Sequence, residues 1–249
     1  MGKILEVCID SLASARAAIE GGADRIELCG ALSVGGLTPY TELLTQIRKE
    51  SDIDIRSMIR PRGGDFLYSE DELEMMIMQI KTLKSAGSNG FVIGCLKRDG
   101  TPDEEAIKRL MEACGDSKVT FHRAIDVSRD LLETYSTISR LGVDTVLTSG
   151  GEPNCTNGKE KIGALLELKE KINGANILIG AGVNASVIRD FRSSFPTAEN
   201  FHLSGKIEVE SQMEFRRLNI PMGHPAFDEW HIGVTSAEKI RLAKSALLL

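Results

Sequence analysis

The residues best equipped for chemistry fall in a few short stretches. Ile59-Arg60-Pro61-Arg62-Gly63-Gly64-Asp65-Phe66 combines two guanidiniums, a carboxylate and a Gly-Gly pair. Arginine forks bind carboxylate or phosphate through paired N–H groups, and adjacent glycines let a backbone approach a ligand closely. A turn that merely joins two elements needs few of these, so the stretch reads as one wall of an anion-handling site formed by Arg60, Arg62 and Asp65. Glu6-Val7-Cys8 and Glu27-Leu28-Cys29 repeat a Glu-x-Cys pattern, and His122-Arg123 is followed by Asp126. Three glycine-bearing runs complete the set: Thr148-Ser149-Gly150-Gly151, Gly180-Ala181-Gly182 and His202-Leu203-Ser204-Gly205.

The elements that must position these groups alternate along the chain. Strand-like runs are expected at 4–9, 25–29, 55–59, 91–96, 119–125, 145–148, 177–181 and 199–203. Each but the last is followed directly by a helical pattern. Ser69 and Glu72 form a capping box. The helix behind it has Leu73, Met76, Ile77, Ile80 and Leu83 at helical spacing, and its methionines read as core. Thr38-Pro39 and Thr101-Pro102 read as helix starts, and Gly22, Gly87 and Gly142 as left-handed helix ends. Residues 206–235 look less regular, and a last helix is expected from Ser236. Eight βα units in 249 residues fit a single-domain (β/α)8 TIM barrel with its core at about 4–205, an irregular C-terminal segment and a final helix. No GxGxxG opens a helix after the first strand, which weakens a dinucleotide-binding reading.

In such a barrel the working end is the C-terminal end of the strands. Residues two apart share a strand face, so Glu6 with Cys8, and Glu27 with Cys29, face one way, side by side on adjacent strands. Arg60, Arg62 and Arg123 would bind an anion, with Glu6 or Glu27 and His122 as acid–base partners. Ser149, Gly150, Gly182, His202 and Ser204 lie where strand ends cradle anions. Two converging thiols, Cys8 and Cys29, suit a soft, low-coordinate ion such as Cu(I). The competing accounts are structural: an interior ion-pair layer for Glu6, Glu27 and Arg60, and small buried hydrophobes for the two cysteines. Asp126 is weighed equally as a helix cap.

Composition narrows the classes. Thirty basic against thirty-six acidic residues leave a net charge of −6, and no basic run with interleaved aromatics points to nucleic acid. No apolar run approaches the ~18 residues that span a bilayer. The N-terminus enters a strand-like run at Ile4, without room for a signal peptide. Five cysteines without a CxxC pair read as reduced thiols of a cytoplasmic protein, with Cys114 on a core face, Cys95 in a strand and Cys155 in an exposed loop. His224 and His231, near Trp230, read as surface or interface residues.

These segments together resemble the CutC copper homeostasis family. The resemblance is carried by Glu6-Val7-Cys8, Gly22-Ala23-Asp24-Arg25-Ile26-Glu27-Leu28-Cys29, Gly35-Gly36-Leu37-Thr38-Pro39, Ile59 to Phe66 with Tyr68-Ser69, Val119 to Ala124 with Asp126, and Val146 to Gly150. It implies a (β/α)8 barrel, a cytoplasmic location and copper handling, with Cys8 and Cys29 matching family cysteine positions. His202-Leu203-Ser204-Gly205 departs from the family pattern at Ser204. Two functions are expected: a copper-homeostasis protein binding Cu(I), or an enzyme on a small anionic, phosphorylated or otherwise charged, substrate. Self-association into a homo-oligomer would rest on residues 206–235.

Overall fold

The computed structural model describes residues 2–217, 220 and 229–249. Eight parallel strands close into a barrel in chain order: β1 Ile4–Ile9, β2 Arg25–Leu28, β3 Asp54–Met58, β4 Gly90–Ile93, β5 Lys118–Phe121, β6 Thr145–Thr148, β7 Asn176–Ile179 and β8 Asn200–Leu203. The helices between them are α1 Leu12–Glu20, α2 Thr41–Glu50, α3 Glu70–Ser85, α4 Glu104–Cys114, α5 Leu131–Arg140, α6 Lys159–Ile172 and α7 Ala185–Ser194. Their apolar faces cover the outside of the barrel. Leu5, Val7, Ile26, Leu28, Ile55 and Phe91 alternate outward along the strands and are fully buried under the helices. That burial is the main source of stability, at roughly 25 cal/mol per Å² of apolar surface removed from water.

The C-terminal region is more regular than its sequence suggests. After β8 the chain forms an antiparallel ribbon of β9 Lys206–Glu210 and β10 His231–Thr235, and then α8 Ala237–Leu248, capped by Ser236. Helix α8 packs between α7 and α1. It is tied there by Lys244 to Asp24 at 2.5 Å and by Arg192 Nη1 to the Leu247 carbonyl at 2.8 Å. It is thus the barrel's own eighth helix, and the segment expected to be irregular is an insertion in the eighth βα connection. His231 begins β10, whereas His224 lies outside the described residues.

Several local expectations shift. Gly22, Gly87 and Gly142 do take positive φ, at 87°, 99° and 90°. The N-cap of α2 is Tyr40 rather than Thr38, because the Thr38 hydroxyl is bonded to Gln79 and to the Arg60 carbonyl. Asp103 caps α4. Met76 is core, but Met75 and Met78 are exposed on the outer face of α3. Cys155 is fully buried and Cys95 lies just past the end of β4; all five cysteines are free. Strand β5 stops at Phe121, and residues Arg123–Val127 form a 3-10 turn instead. The cause is His122, whose Nδ1 accepts the Ala124 N–H at 3.1 Å and bends the chain.

Candidate functional site

The parallel register builds the site. Glu6 on β1 sits opposite Arg25 on β2 and opposite His202 on β8. Its carboxylate accepts Arg25 Nε at 2.5 Å on Oε2 and His202 Nδ1 at 2.7 Å on Oε1. Burial would raise the Glu6 pKa, but Arg25 and His202 outweigh it and hold the group far below the usual carboxylate range. A carboxylate in that state only accepts, so His202 Nδ1 carries a proton and Nε2 is the atom left for other partners. Glu6 is therefore consumed in positioning His202 and does not line the cavity above it.

One pair further up, Cys8 faces Glu27. The two Glu-x-Cys pairs are thus staggered by two residues, not side by side, because the barrel's shear offsets neighbouring strands. The stagger brings Cys8, Glu27 and His202 together, all buried, with one ligand atom from each within 4.8 Å of the others. Cys29 Sγ lies 3.4 Å from Glu27 Oε2, among Met58, Val92 and Leu32. Burial works against a charged His202, yet Cys8, Glu27 and Glu6 hold its pKa well above the ordinary value. Glu27 is shifted upward by burial and by Glu6, with His202 pulling the other way. Burial and Glu27 push the Cys29 thiol up strongly.

Above this cluster, a cavity of ≈230 Å³ opens at the C-terminal end of the strands. Its walls include Cys8, Glu27, Arg60, His122 and His202, with Phe66, Leu147 and Met58 supplying apolar surface. Arg60 is buried. Its Nη1 donates to the carbonyls of Val34 and Gly36 at 3.0 and 3.2 Å, and its Nη2 to Gly64 at 2.9 Å. Its guanidinium lies 5.1 Å from the centre of the Phe66 ring. The His122 ring also contacts Phe66, with centroids 4.8 Å apart and the planes tilted by 47°. Burial, then the Arg60 charge, bring the His122 pKa down to about 3. The ring is neutral near pH 7 with its proton on Nε2, since Nδ1 is an acceptor for Ala124. It is a hydrogen-bond donor to the cavity rather than an imidazolium acid.

Other expected residues are placed elsewhere. Arg62 and Asp65 pair at 3.1 Å, and Arg62 Nε bonds Glu72 at 2.6 Å, so this motif's second arginine turns outward to α3. Arg123 lines the cavity but is paired with Asp126 at 2.7 Å. Asp126 neither caps α5, a role held by Asp130, nor enters the cavity. Its carboxylate instead accepts the Ser149 and Gly151 amides and the Thr148 and Ser149 hydroxyls. The Gly150 amide is bonded to Thr148 Oγ1. The end of β6 is thus an anion cradle already filled by the chain's own carboxylate. Gly182 and Ser204 line a separate cavity of ≈470 Å³ beside Lys206 and Lys239.

Sequence reading missed Arg25 and Gly94. Arg25 stands two residues before Glu27, on the same inward face, and that spacing was the available signal. At Gly94, an added Cβ would lie 2.3 Å from His122 Cε1, so glycine is what makes room for the imidazole; only the three-dimensional contact reveals it.

The site belongs to a recognisable group. Residues 3–207 match the model of the CutC family. The chain is a member of the CutC family. It is 40% identical over 246 residues to a family protein CutC of Aliivibrio fischeri, covering 98% of each chain. It is 38% identical over 253 residues to the human copper homeostasis protein cutC homolog, covering 99% of this chain and 91% of that one. CutC from Streptococcus agalactiae, a crystal structure, superposes with a TM-score of 0.75 at 30% identity, covering 81% of this CutC-family chain and 98% of its own.

Proposed function

We propose that this protein takes part in copper handling by binding Cu(I) as its cargo at the barrel mouth, through Cys8 Sγ and His202 Nε2, with Glu27 as the adjoining oxygen donor. The single observation that carries the reading is the convergence of these three buried ligand atoms within 4.8 Å. A thiolate and an imidazole are soft to borderline donors that favour Cu(I) over magnesium or calcium. The Glu6–His202 hydrogen bond is the carboxylate–imidazole support that metal-ligating histidines commonly have. Cys29 is the second thiol of the reading. It stands one contact behind Glu27, and its upward-shifted pKa makes it the less ready thiolate. The copper homeostasis name of the human relative points the same way.

Binding at His202 Nε2 displaces a proton from an imidazole that is charged in the free protein, so affinity falls as pH falls. A cytoplasmic location accords with five free, buried cysteines. Self-association is supported by the apolar side chains Ile207, Val209 and Ile232 exposed on the β9–β10 ribbon. Light scattering of the intact chain would test it, and a monomer at micromolar concentration would remove it. For copper, the test is an anaerobic competition titration of Cu(I) against a colorimetric chelator. Cys8→Ser and His202→Asn are expected to lose most of the affinity and Cys29→Ser less. Equal affinity in all four proteins would sink the reading.

A further inference from the structure

Three residues in the wall of the ≈230 Å³ cavity carry a polar atom with no hydrogen-bond partner among the described residues: Glu27 Oε1, Arg60 Nε and His122 Nε2. All three side chains belong to residues more than nine-tenths buried, at 3%, 6% and 4% exposure. Native proteins leave few such atoms unpaired, and each costs on the order of 1–3 kcal/mol unless something else satisfies it. That three of them share one cavity marks a place built to receive polar groups. Arg60 adds a charge. Its guanidinium is bonded to three carbonyls and lies near Phe66, but no carboxylate among the described residues pairs with it, whereas Arg25, Arg62 and Arg123 each have one.

We propose that this cavity binds a short carboxylic acid bearing an oxygen on the carbon next to the carboxylate, a 2-oxo or 2-hydroxy acid, with the carboxylate on Arg60 and the second oxygen on His122 Nε2–H. The charge that Arg60 lacks is a single negative one, and a carboxylate accepts from a guanidinium edge. Neutral His122 offers one N–H, which suits a carbonyl or hydroxyl oxygen. The apolar remainder of the wall, Leu32, Met58, Phe66 and Leu147, fits a short carbon chain. The volume limits the ligand to a few carbons, since one water takes about 30 Å³. Phosphate fits less well. It seeks several backbone amides, and those at the end of β6 are occupied by Asp126. This inference does not rest on copper: Glu27 borders both sites, but Arg60 and His122, which hold the acid, are not among the three proposed ligand residues, and the acid binds to the metal-free protein.

The experiment is calorimetric titration of the metal-free full-length chain, held in a chelator, with pyruvate, lactate, acetate and inorganic phosphate. Pyruvate or lactate should saturate the site, with acetate weaker for want of the second oxygen. His122→Asn keeps an acceptor for the Ala124 amide but removes the Nε2–H. It should weaken pyruvate or lactate about tenfold, the scale of one hydrogen bond to a charged or strongly polar ligand, and leave acetate unchanged. Arg60→Lys should weaken all three acids; its folding is checked by circular dichroism, because Arg60 also ties two loops together. Arg62→Ala, altered outside the cavity, should bind as the wild type does. The inference is overturned if neither pyruvate nor lactate binds saturably at millimolar concentration. It is equally overturned if His122→Asn binds all acids as the wild type does, or if inorganic phosphate binds more tightly than both. The acids are titrated into metal-free protein and Cu(I) is titrated in a separate experiment, so either one can fail to bind while the other binds, and the two readings fail separately.

Discussion

Replacing His122 by Asn should erase the acid sensitivity of this fold between pH 6.5 and 4.5. The wild-type imidazole titrates near 6.5 when unfolded but only at about 3 when folded. In that interval the unfolded chain binds a proton that the native chain refuses, so native stability falls as pH falls. The slope is ~1.36 kcal/mol per pH unit for one such group. Because the unfolded imidazole is only half protonated at pH 6.5, the loss attributable to His122 from pH 6.5 to 4.5 is ~2.3 kcal/mol, or roughly 5–9 °C in melting temperature for a chain of this size. His202 acts with the opposite sign. Its folded value lies well above the ordinary one, so its stabilisation is complete below the unfolded value and drains away as pH rises through the folded one. Together the two histidines predict a stability maximum near pH 6.5. The assay is urea unfolding at half-unit pH steps, reading midpoint and slope together. The window stops at 4.5 because below it the Glu6 carboxylate, held low by Arg25 and His202, also begins to cost stability. Asn at position 122 should flatten the acid limb while leaving the alkaline limb in place. Parallel curves for wild type and variant over pH 4.5–6.5 would refute the buried, neutral state assigned to His122.

Three further outcomes follow from the same geometry. Gly94→Ala forces a Cβ to within 2.3 Å of the His122 ring; overpacking of this kind costs about 1–3 kcal/mol, visible as a lower urea midpoint. Glu6→Gln leaves Arg25 buried without its counter-charge, a change of about 3–5 kcal/mol for a broken interior pair. It should also weaken Cu(I) binding about 10–100-fold by freeing His202, read in the chelator competition. Asp126→Ala unpairs the amides of Ser149 and Gly151 and the Arg123 guanidinium. Amide exchange at residues 149–151 should rise sharply, while exchange in β1 and β2 stays at its wild-type rate.

Much of this molecule can be read along the chain because its signals are local. Alternating inward and outward residues, the Ser69–Glu72 box and the glycines at 22, 87 and 142 each act within a few residues of themselves, and the barrel follows from counting them. What the chain could not disclose is register. Whether Cys8 stands beside Cys29 or beside Glu27 depends on the shear between β1 and β2, which no residue type announces. The same stagger recruits Arg25 to Glu6 and closes His202 on β8 against β1 across nearly the whole chain length. The fate of the arginines was hidden for another reason. Arg60 and Arg62 are two residues apart in a loop, and only the packing of Glu72 and Phe66 sends one outward and keeps the other in. The ribbon of β9 and β10 escaped notice because its two strands are twenty residues apart, with no turn signal between them that fixes their pairing.

The copper reading meets its most direct test in X-ray absorption at the copper edge of the anaerobic Cu(I)-loaded protein. A sulfur scatterer beside nitrogen is predicted in the wild type, persisting in Cys29→Ser and lost in Cys8→Ser. A shell of nitrogen and oxygen alone, or a spectrum unchanged by Cys8→Ser, would contradict a Cu(I) site built on Cys8 and His202.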